Sequence, residues 1–570
     1  MALAQGDVGG GSSLMAFSNL SDMHRSQCAL LGPRTAVRFK RDGLYHDLTW
    51  TDYRAMADRA AAGLIELGVN PGDRVAILAE NRYEWLIADE AILSTGAADV
   101  PLHAPLAPRQ VEYQVGHSQS RGVIVSGQHQ ADKVFHVLES LPNLEFLVSF
   151  DPIVAPTDKV RVLSWNGLMQ RGRRANKQEE ILRRESKITG KDLATIIYTS
   201  GTTGNPKGVM LTHGNLLKNA QTTLEIGPRD PSDVLLSWLP YSHIYARTCD
   251  LYVPAIAGST VALAESMDTL IINLAETWPT WLTSVPRFYE KVWTRVETLP
   301  ADQRGATLKK IFGPRIRQLS SGGAPLPKHV CQGFFDAGLP LLEGYGLTET
   351  SPVVSFNRLN DYRIGTVGKA IPGVELKIVS DGEILVRGPN IMQGYWRNPE
   401  ATAEVIQQDG WFHTGDVGHI DADGYLTITD RKKDLIITSA GKNIAPSELE
   451  RLLVSDIYID QAVVYGDGRK FVSALIVPNF EQLRAKAGEL KCKLESTPEG
   501  FLNSTWLHDF FSQRIEAVMQ EVSNPERVKK FLVLDRPFQL DADELTATLK
   551  VRRNHIIGKF EGQLAALYDE

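Results

Sequence analysis

Cysteine is scarce in this sequence. Its 570 residues include four cysteines, and none of them shows the paired CxxC spacing of a zinc site. This sparse distribution argues against a disulfide scaffold and fits a reducing compartment, so a cytoplasmic location is expected.

Long apolar runs and an excess of basic residues are also missing. No stretch of about 18 apolar residues occurs, so no transmembrane helix is predicted. The first residues lack the pattern of a signal peptide, and residues 1–20 are predicted to be a disordered segment. A net charge of −7 argues against a nucleic-acid partner. Oligomeric state and peripheral contact with the inner face of a membrane stay open.

The sequence does contain helices that alternate with short apolar strands. Residues Thr51 to Gly68 have apolar side chains at helical spacing, and Val75 to Ala79 form the first of four apolar runs. This alternation predicts a large α/β domain with a mostly parallel, doubly wound sheet. The charged run from Arg171 to Lys187 is interpreted as a solvated surface segment without function.

Paired short strands replace this pattern after about Gly373. Turn signals lie at Asp381-Gly382, at Asp423-Gly424 and around residues 466–468, and a helix is predicted from Ser447 to Val454. These features predict a smaller α+β domain at the C-terminus. A join near Asp430 would divide the chain into domains 21–430 and 431–570.

The most informative segment is Tyr198-Thr-Ser-Gly-Thr-Thr-Gly-Asn-Pro-Lys-Gly-Val209, which directly follows an apolar run. Glycines let backbone approach a ligand closely, and the hydroxyl and N–H groups can donate to phosphate oxygens. Lys207 adds a positive charge. The segment lacks the Gly-Lys-Ser/Thr order of a Walker motif. It therefore predicts a phosphate-binding loop of another kind.

This twelve-residue string resembles the signature loop of the adenylate-forming superfamily, which includes acyl-CoA synthetases, luciferases and peptide-synthetase adenylation domains. The resemblance implies a large N-terminal α/β domain with a smaller mobile C-terminal α+β domain. It also implies ATP as a substrate. The implied nucleotide-binding residues of the loop are Thr199, Ser200, Gly201, Thr202, Thr203, Gly204 and Lys207.

Two glycine-containing segments follow in the family's order. Ser320-Ser-Gly-Gly-Ala-Pro-Leu326 resembles the adenine-side loop, although it also fits a generic turn, and it implies contacts from Gly323 and Ala324. Glu343-Gly-Tyr-Gly-Leu-Thr-Glu-Thr350 resembles the next motif. It implies an aromatic face for adenine from Tyr345 and a hydrogen bond to the α-phosphate from Thr348. Further implied residues are Glu343, Gly344 and, as metal residues for Mg²⁺, Glu349 with Thr199.

The stretch from Asp409 to Lys433 resembles the signature of fatty acyl-CoA synthetases over its 25 residues. The resemblance implies that Asp416 accepts both ribose hydroxyls, that Arg431 contacts the same sugar, and that Lys433 is the hinge of the C-terminal domain. In the following segment it implies a coenzyme A side formed by Gly441 and Lys442.

Near the C-terminus, Lys550 matches the family's adenylation lysine, and its Thr-Leu-Lys context resembles long-chain synthetases. Lys207, Lys550 and Glu349 are thus the implied catalytic residues. His243 matches a histidine near the reacting carboxylate, although a buried structural histidine is about as plausible there. Residues 284–291 also resemble long-chain members and are expected to wall the acyl pocket. The resulting hypothesis is a long-chain fatty acid–CoA ligase that uses ATP, fatty acid, coenzyme A and Mg²⁺.

Four alternatives remain open, and one of them, luciferase-type oxidation, is favoured by nothing in the sequence. A fatty acyl-AMP ligase would pass the acyl group to a carrier protein instead of coenzyme A. A peptide-synthetase domain is disfavoured, because only 20 residues follow Lys550. A catalytically inactive binding protein on the same fold is disfavoured because the implied lysines and carboxylates are all present.

Overall fold

A computed structural model of the chain describes residues 16–199, 205–439, 443–520, 522–539, 542–545 and 551–569. The chain packs as two compact units. The first comprises residues 1–198, 208–277 and 348–352, and the second comprises residues 199–207, 278–347 and 353–570. The two units are defined by contacts between residues and not by domain boundaries. The predicted boundary at residue 430 therefore stays a prediction.

The first unit contains two groups of strands. In one group, neighbouring strands run in the order Lys207–Thr212, Leu193–Thr199, Ala98–Leu102, Arg74–Leu78, Gly122–Val125, Phe146–Ser149 and Arg161–Ser164. In the other, the order is Val234–Ser237, Thr260–Leu263, Thr35–Arg41 and Leu44–Thr49. The pairings from Ala98–Leu102 onward in the first group are parallel, as the sequence predicted.

Helices surround these strands. Their bounds are Leu20–Leu31, Trp50–Glu66, Tyr83–Ser94, Pro108–Ser118, Gln128–His136, Trp165–Ala175, Gln178–Glu185, His213–Ile226, Ile244–Ala246, Val253–Ala257 and Leu270–Thr277. Short 3₁₀ turns span Leu138–Ser140 and Thr348–Thr350, and a π-helical segment spans Arg247–Tyr252. The predicted helix after residue 51 is confirmed, and Thr49 caps it by accepting from the backbone N–H of Asp52.

The interpretation of residues 171–187 as a solvated surface segment is wrong in part. Gly172 lies so close to the helix Trp50–Glu66 that an added Cβ would come within 1.8 Å of the carbonyl oxygen of Arg59. Glu185 is buried and forms an ion pair with Arg25 at 2.6 Å. The charged segment therefore packs against the helical layer through a glycine contact and a long-range ion pair.

The second unit contains a five-strand group in the order Lys369–Ala370, Val353–Phe356, Leu341–Gly346, Gln318–Ser321 and Trp281–Ser284, followed by an antiparallel group of Glu375–Ile378, Glu383–Arg387, Phe412–Ile420 and Leu426–Arg431. Its helices before residue 430 are Pro286–Val296, Ala301–Phe312, Lys328–Asp336 and Pro399–Val405, and a two-residue strand lies at Gly394–Tyr395. The two Asp-Gly hairpins predicted from sequence are confirmed.

The C-terminal part of this unit is α+β, as predicted. A short hairpin pairs Ile436–Ile437 with Asn443–Ile444, and a three-stranded sheet is formed by Ile459–Tyr465, Val472–Pro478 and Val528–Val533. The accompanying helices are Pro446–Leu453, Phe480–Leu490, Thr505–Val518, Arg553–Lys559 and Glu561–Ala566, with a 3₁₀ turn at Asn524–Glu526. The three-stranded sheet buries apolar side chains on both faces, with Phe511 on one side and Leu475 on the other. Complete burial of such a side chain contributes about 1.5–3 kcal/mol.

Candidate functional site

The predicted phosphate loop connects two strands. The strand Leu193–Thr199 leads into it and the strand Lys207–Thr212 leads away from it, while Ser200, Gly201, Thr202, Thr203 and Gly204 lie outside the described residues. Lys207 is half-buried, and its Nζ atom lies 4.8 Å from the centre of the Tyr395 ring. The ring holds the ammonium group through a cation–π contact.

The side chain of Glu343 supports the predicted adenine-side loop. Gly323 has a φ of +83°, a left-handed conformation that favours glycine, and Ala324 follows it half-exposed. The Glu343 side chain is buried and accepts a hydrogen bond from the backbone N–H of Leu326 at 3.1 Å. Burial raises the pKa of Glu343 to about 8. Glu343 therefore holds the loop in place, and it does so with a carboxyl group that retains its proton near neutral pH.

Gly344 is required by packing within the five-strand group. A Cβ at this position would come within 2.6 Å of the Phe356 ring on the paired strand. The neighbouring Tyr345 thus follows a position where the two strands approach closely.

Three residues predicted to contact adenine and ribose come together around one carboxylate. Asp416 is buried, and its Oδ2 accepts a hydrogen bond from the Tyr345 phenol at 2.5 Å. Its Oδ1 lies 3.1 Å from Nε of Arg431, which is 44% exposed. The antiparallel register that pairs Asp416 with Arg431 accounts for the second contact. Burial and the neighbouring carboxylate raise the pKa of Tyr345 well above its usual range, so its phenol remains a neutral donor.

Sequence reasoning missed a second buried carboxylate beside Asp416. Glu383 accepts from the backbone N–H of Gly415 at 3.1 Å, from Lys432 at 3.0 Å and from His413 at 3.1 Å. Although burial alone would raise the pKa of Glu383, these donors lower it. Glu383 therefore fixes the backbone before Asp416 and the residue before the predicted hinge. The only sequence signal is a glutamate directly after an Asp-Gly turn, followed by three apolar residues of the same strand.

The predicted hinge residue Lys433 is exposed in the turn that follows the strand Leu426–Arg431. A polar network surrounds this turn. Ser447 donates to Asp430 through its backbone N–H at 2.7 Å and through its hydroxyl at 2.9 Å. Arg553 donates to the same hydroxyl at 2.9 Å and to Glu450 at 2.5 Å. These hydrogen bonds join residues that precede and follow Lys433, the predicted hinge. No motif in the sequence predicted them.

Gly441, Lys442 and Lys550, which the resemblance assigned to the coenzyme A side and to adenylation, lie outside the described residues.

The remaining predicted residues belong to the first unit. His243 is half-buried, and its Nδ1 accepts from the backbone N–H of Tyr245 at 3.2 Å, which caps the short helix that follows. Its ring lies 6.5 Å from that of His103, whose pKa burial lowers to about 4. Thr348 and Glu349 lie on the 3₁₀ turn, with the threonine buried and the glutamate half-buried.

Directly after the helix capped by His243, Arg247 forms a fully buried ion network that sequence reasoning also missed. Its guanidinium contacts Asp89, Asp99 at 2.8 Å, and the hydroxyl of Thr195 at 2.9 Å. Burial and the neighbouring Asp99 raise the pKa of Asp89, although Arg247 opposes this shift. Because Thr195 lies on the strand that leads into the phosphate loop, the network joins that strand to the π-helical segment Arg247–Tyr252.

Comparison with known proteins identifies the family. The AMP-binding enzyme family matches residues 25–396, and the AMP-binding enzyme C-terminal domain matches residues 433–570. The chain therefore belongs to the AMP-binding, or adenylate-forming, enzymes. The expected fold, a large N-terminal domain followed by a smaller C-terminal domain, is confirmed by the same matches and by the solved structures below.

Individual relatives narrow the class further. The long-chain-fatty-acid–CoA ligase FadD15 of Mycobacterium bovis is 36% identical over an alignment of 585 positions, which covers 93% of each chain. The O-succinylbenzoate coenzyme A synthetase MenE of Bacillus subtilis, solved with AMP, shares 26% identity, covering 93% of this chain and 97% of that chain with a TM-score of 0.72. ATP-bound MatB from Rhodopseudomonas palustris shares 25% identity, covering 95% and 99% of the two chains with a TM-score of 0.73. The chain is an ATP-dependent acid–thiol ligase.

The part of the chain that the structure describes contains no helix with the length and apolar character needed to cross a bilayer.

Proposed function

We propose that this chain is a long-chain fatty acid–CoA ligase that converts ATP, a fatty acid and coenzyme A into acyl-CoA, AMP and diphosphate. The observation that carries the proposal is the 36% identity to a long-chain-fatty-acid–CoA ligase over 93% of both chains. The sequence motifs for nucleotide, metal and coenzyme A occur in family order and support the same function.

In the first step a carboxylate oxygen of the fatty acid attacks the α-phosphorus of ATP. An O–P bond forms, the bond to diphosphate breaks, and acyl-AMP results. Both reactants are anionic, so the barrier contains a large electrostatic component that fixed cations reduce. In this proposal Lys207 and Lys550 provide that positive charge, the loop from Thr199 to Gly204 binds the departing diphosphate, and Thr348 contacts the α-phosphate.

In this proposal Glu349 provides an oxygen ligand for a magnesium ion that enters with ATP. Glu349 is a half-buried carboxylate, and no cluster of three His, Cys, Asp or Glu side chains suited to a metal occurs within the described ranges. One carboxylate combined with phosphate oxygens is a donor set typical of Mg²⁺ in nucleotide enzymes. We propose Glu349 and Thr199 as its protein residues. When bound, the ion neutralises phosphate charge.

In the second step the thiolate of coenzyme A attacks the acyl carbonyl. A C–S bond forms, the C–O bond to AMP breaks, and the thiol proton passes to solvent. We propose that Gly441 and Lys442 lie along the path of the thiol, and that His243 lines the region near the reacting carboxylate. Rotation of the C-terminal domain at Lys433 would remove Lys550 and admit the thiol, a form of domain gating.

The decisive experiment supplies the full chain with ATP, Mg²⁺, coenzyme A and acids from acetate to stearate, and measures acyl-CoA by mass spectrometry. We expect activity to peak with long-chain acids. A peak at acetate or at an aromatic acid would contradict the long-chain assignment. Accumulation of acyl-AMP with no acyl-CoA would instead indicate transfer to a carrier protein.

A matched pair of lysine variants tests the assignment of Lys550. Lys550→Ala is expected to abolish acyl-AMP formation, measured by pyrophosphate exchange, while Lys486→Ala is expected to leave it unchanged. Lys486 is a suitable control because it lies in the same C-terminal part, where it forms an exposed ion pair with Glu489 on the surface of one helix. Full exchange activity in Lys550→Ala would remove this residue from the mechanism.

A further inference from the structure

The phenol of Tyr345 has a contact that an adenine-stacking role does not require. A stacking residue needs its aromatic face, and phenylalanine would supply that face equally well. Yet the Tyr345 hydroxyl donates to Oδ2 of Asp416 at 2.5 Å, across 71 residues of sequence. This contact links the predicted adenine residue directly to the predicted ribose residue.

Asp416 is also held at its other oxygen. Arg431 lies 3.1 Å from Oδ1 and balances the charge of the carboxylate. The backbone N–H of Asp416 donates to the Thr414 hydroxyl at 3.0 Å, which fixes the main chain at this position. Each carboxylate oxygen can accept more than one hydrogen bond. An oxygen that accepts from Tyr345 or Arg431 can therefore accept a ribose hydroxyl as well.

The χ2 torsion of an aspartate is broad and roughly two-fold, so hydrogen bonds are needed to define the plane of its carboxylate. A donor on each oxygen fixes the plane of the carboxylate before the nucleotide binds. Such preorganisation improves binding because less conformational freedom is lost in the complex. The short distance is typical of an O–H group bonded to an ionised acceptor.

We propose that the Tyr345 phenol is a positioning residue that orients Asp416 toward the ribose hydroxyls of the nucleotide. It thereby contributes to selection of ribonucleotides over deoxynucleotides. This inference rests on the proposed function, because it takes Asp416 to be the ribose-binding residue. It assigns the hydroxyl of Tyr345 a role separate from that of its ring.

The test compares ATP with 2′,3′-dideoxy-ATP, which keeps the base and phosphates but lacks both ribose hydroxyls. Binding of each nucleotide to the full chain is measured by isothermal titration calorimetry with Mg²⁺, for wild-type protein and Tyr345→Phe. We expect the substitution to weaken ATP binding roughly tenfold, the effect of losing one hydrogen bond to a charged group. Binding of 2′,3′-dideoxy-ATP should change less than about twofold, because the carboxylate then has no hydroxyl to bind.

Two results would overturn the inference. An equal loss of affinity for both nucleotides would assign Tyr345 a purely aromatic or structural role. Unchanged ATP binding in Tyr345→Phe would show that the phenol has no role. In either case wild-type protein still binds ATP, whereas a wild-type protein that binds no ATP would contradict the proposed function itself. The two failures are therefore distinguishable.

Further variants guard against a folding defect. On an Asp416→Asn background, Tyr345→Phe should cause little additional loss of ATP affinity, because both substitutions remove one coupled unit. Tyr362→Phe is the matched control, since Tyr362 is an exposed tyrosine of the same unit that stacks on Phe335. It should bind both nucleotides like wild-type protein.

Discussion

Two buried carboxylate clusters in this chain are built differently. Asp89 and Asp99 surround Arg247, and all three side chains are at most 3% exposed. The side chain of Asp416 is also buried, at 6% exposed, but its cationic partner Arg431 is 44% exposed. A network closed on every side can serve only the fold, because no ligand reaches it. A buried carboxylate whose cationic partner is exposed lies near the surface, where a ligand can reach it. This is the arrangement expected of a binding residue.

The largest expected effect on stability comes from removing Arg247 from its buried network. Arg247→Met leaves Asp89 and Asp99 buried without their cation, and removing one partner of such a pair destabilises by about 3–5 kcal/mol. We expect the free energy of unfolding, measured by urea denaturation, to fall by that amount. Arg173→Met replaces an exposed arginine of the same unit and should stay within about 0.5 kcal/mol of wild-type protein. A loss below about 1 kcal/mol for Arg247→Met would show that the pairing contributes little.

The next largest effect is expected at Asp416. Here we expect a smaller loss of stability than at Arg247, but a larger loss of kcat/KM for ATP. Asp416→Asn keeps the size of the side chain but removes the charge that strengthens hydrogen bonds. We expect kcat/KM for ATP in pyrophosphate exchange to fall by about 10–100-fold. Asp423→Asn, at a 66%-exposed position of the adjacent turn, is the control and should be active. Wild-type kcat/KM in Asp416→Asn would remove the distinction between the two clusters.

The pH dependence of Glu343 gives an intermediate effect. Because burial raises the pKa of Glu343 from 4.5 to about 8, its protonated form stabilises the folded state fully below pH 4.5, and this stability is lost as the pH rises toward 8. Between pH 6 and 7 the loss is at most about 1.4 kcal/mol. In parallel urea denaturation experiments, Glu343→Gln should not show this loss of stability between pH 6 and 7. Identical pH profiles for the two proteins would mean that the carboxyl group is ionised in the folded state.

The smallest effect is expected where both partners are in solvent. Lys159 and Glu139 form an ion pair whose side chains are 61% and 80% exposed. Such pairs contribute between about 0 and 1 kcal/mol. Lys159→Ala should therefore leave the thermal unfolding midpoint nearly unchanged, and the small difference should vanish in high salt. A destabilisation comparable to that of Arg247→Met would refute the role given to burial.

Local patterns predicted much of this architecture. The helix after Thr49, the parallel strands and the Asp-Gly hairpins follow from periodicity and turn chemistry, which act over a few residues. The motifs also named Tyr345, Asp416 and Arg431, which the structure brings together. Their roles as nucleotide-binding residues remain predictions.

Long-range partners could not be predicted in this way. Arg247 contacts Asp89 and Asp99, which precede it by 158 and 148 residues. Neither periodicity nor motif spacing encodes such separations. Glu383 was missed for a related reason, since its three donors become neighbours only when the antiparallel strands pair. Gly172 escaped notice because its need for glycine arises from a neighbouring helix and not from its own backbone.

Lys207 rests against the face of Tyr395 at 4.8 Å, and Tyr395 is itself buried. An aromatic ring carries no net charge, so the lysine can leave it without stranding an anion inside the protein. Had a carboxylate taken the place of the ring, an arriving triphosphate would have to compete with a full negative charge for the same ammonium group. If Lys207 binds phosphate as predicted, the contact with Tyr395 would therefore hold its ammonium group without a competing negative charge.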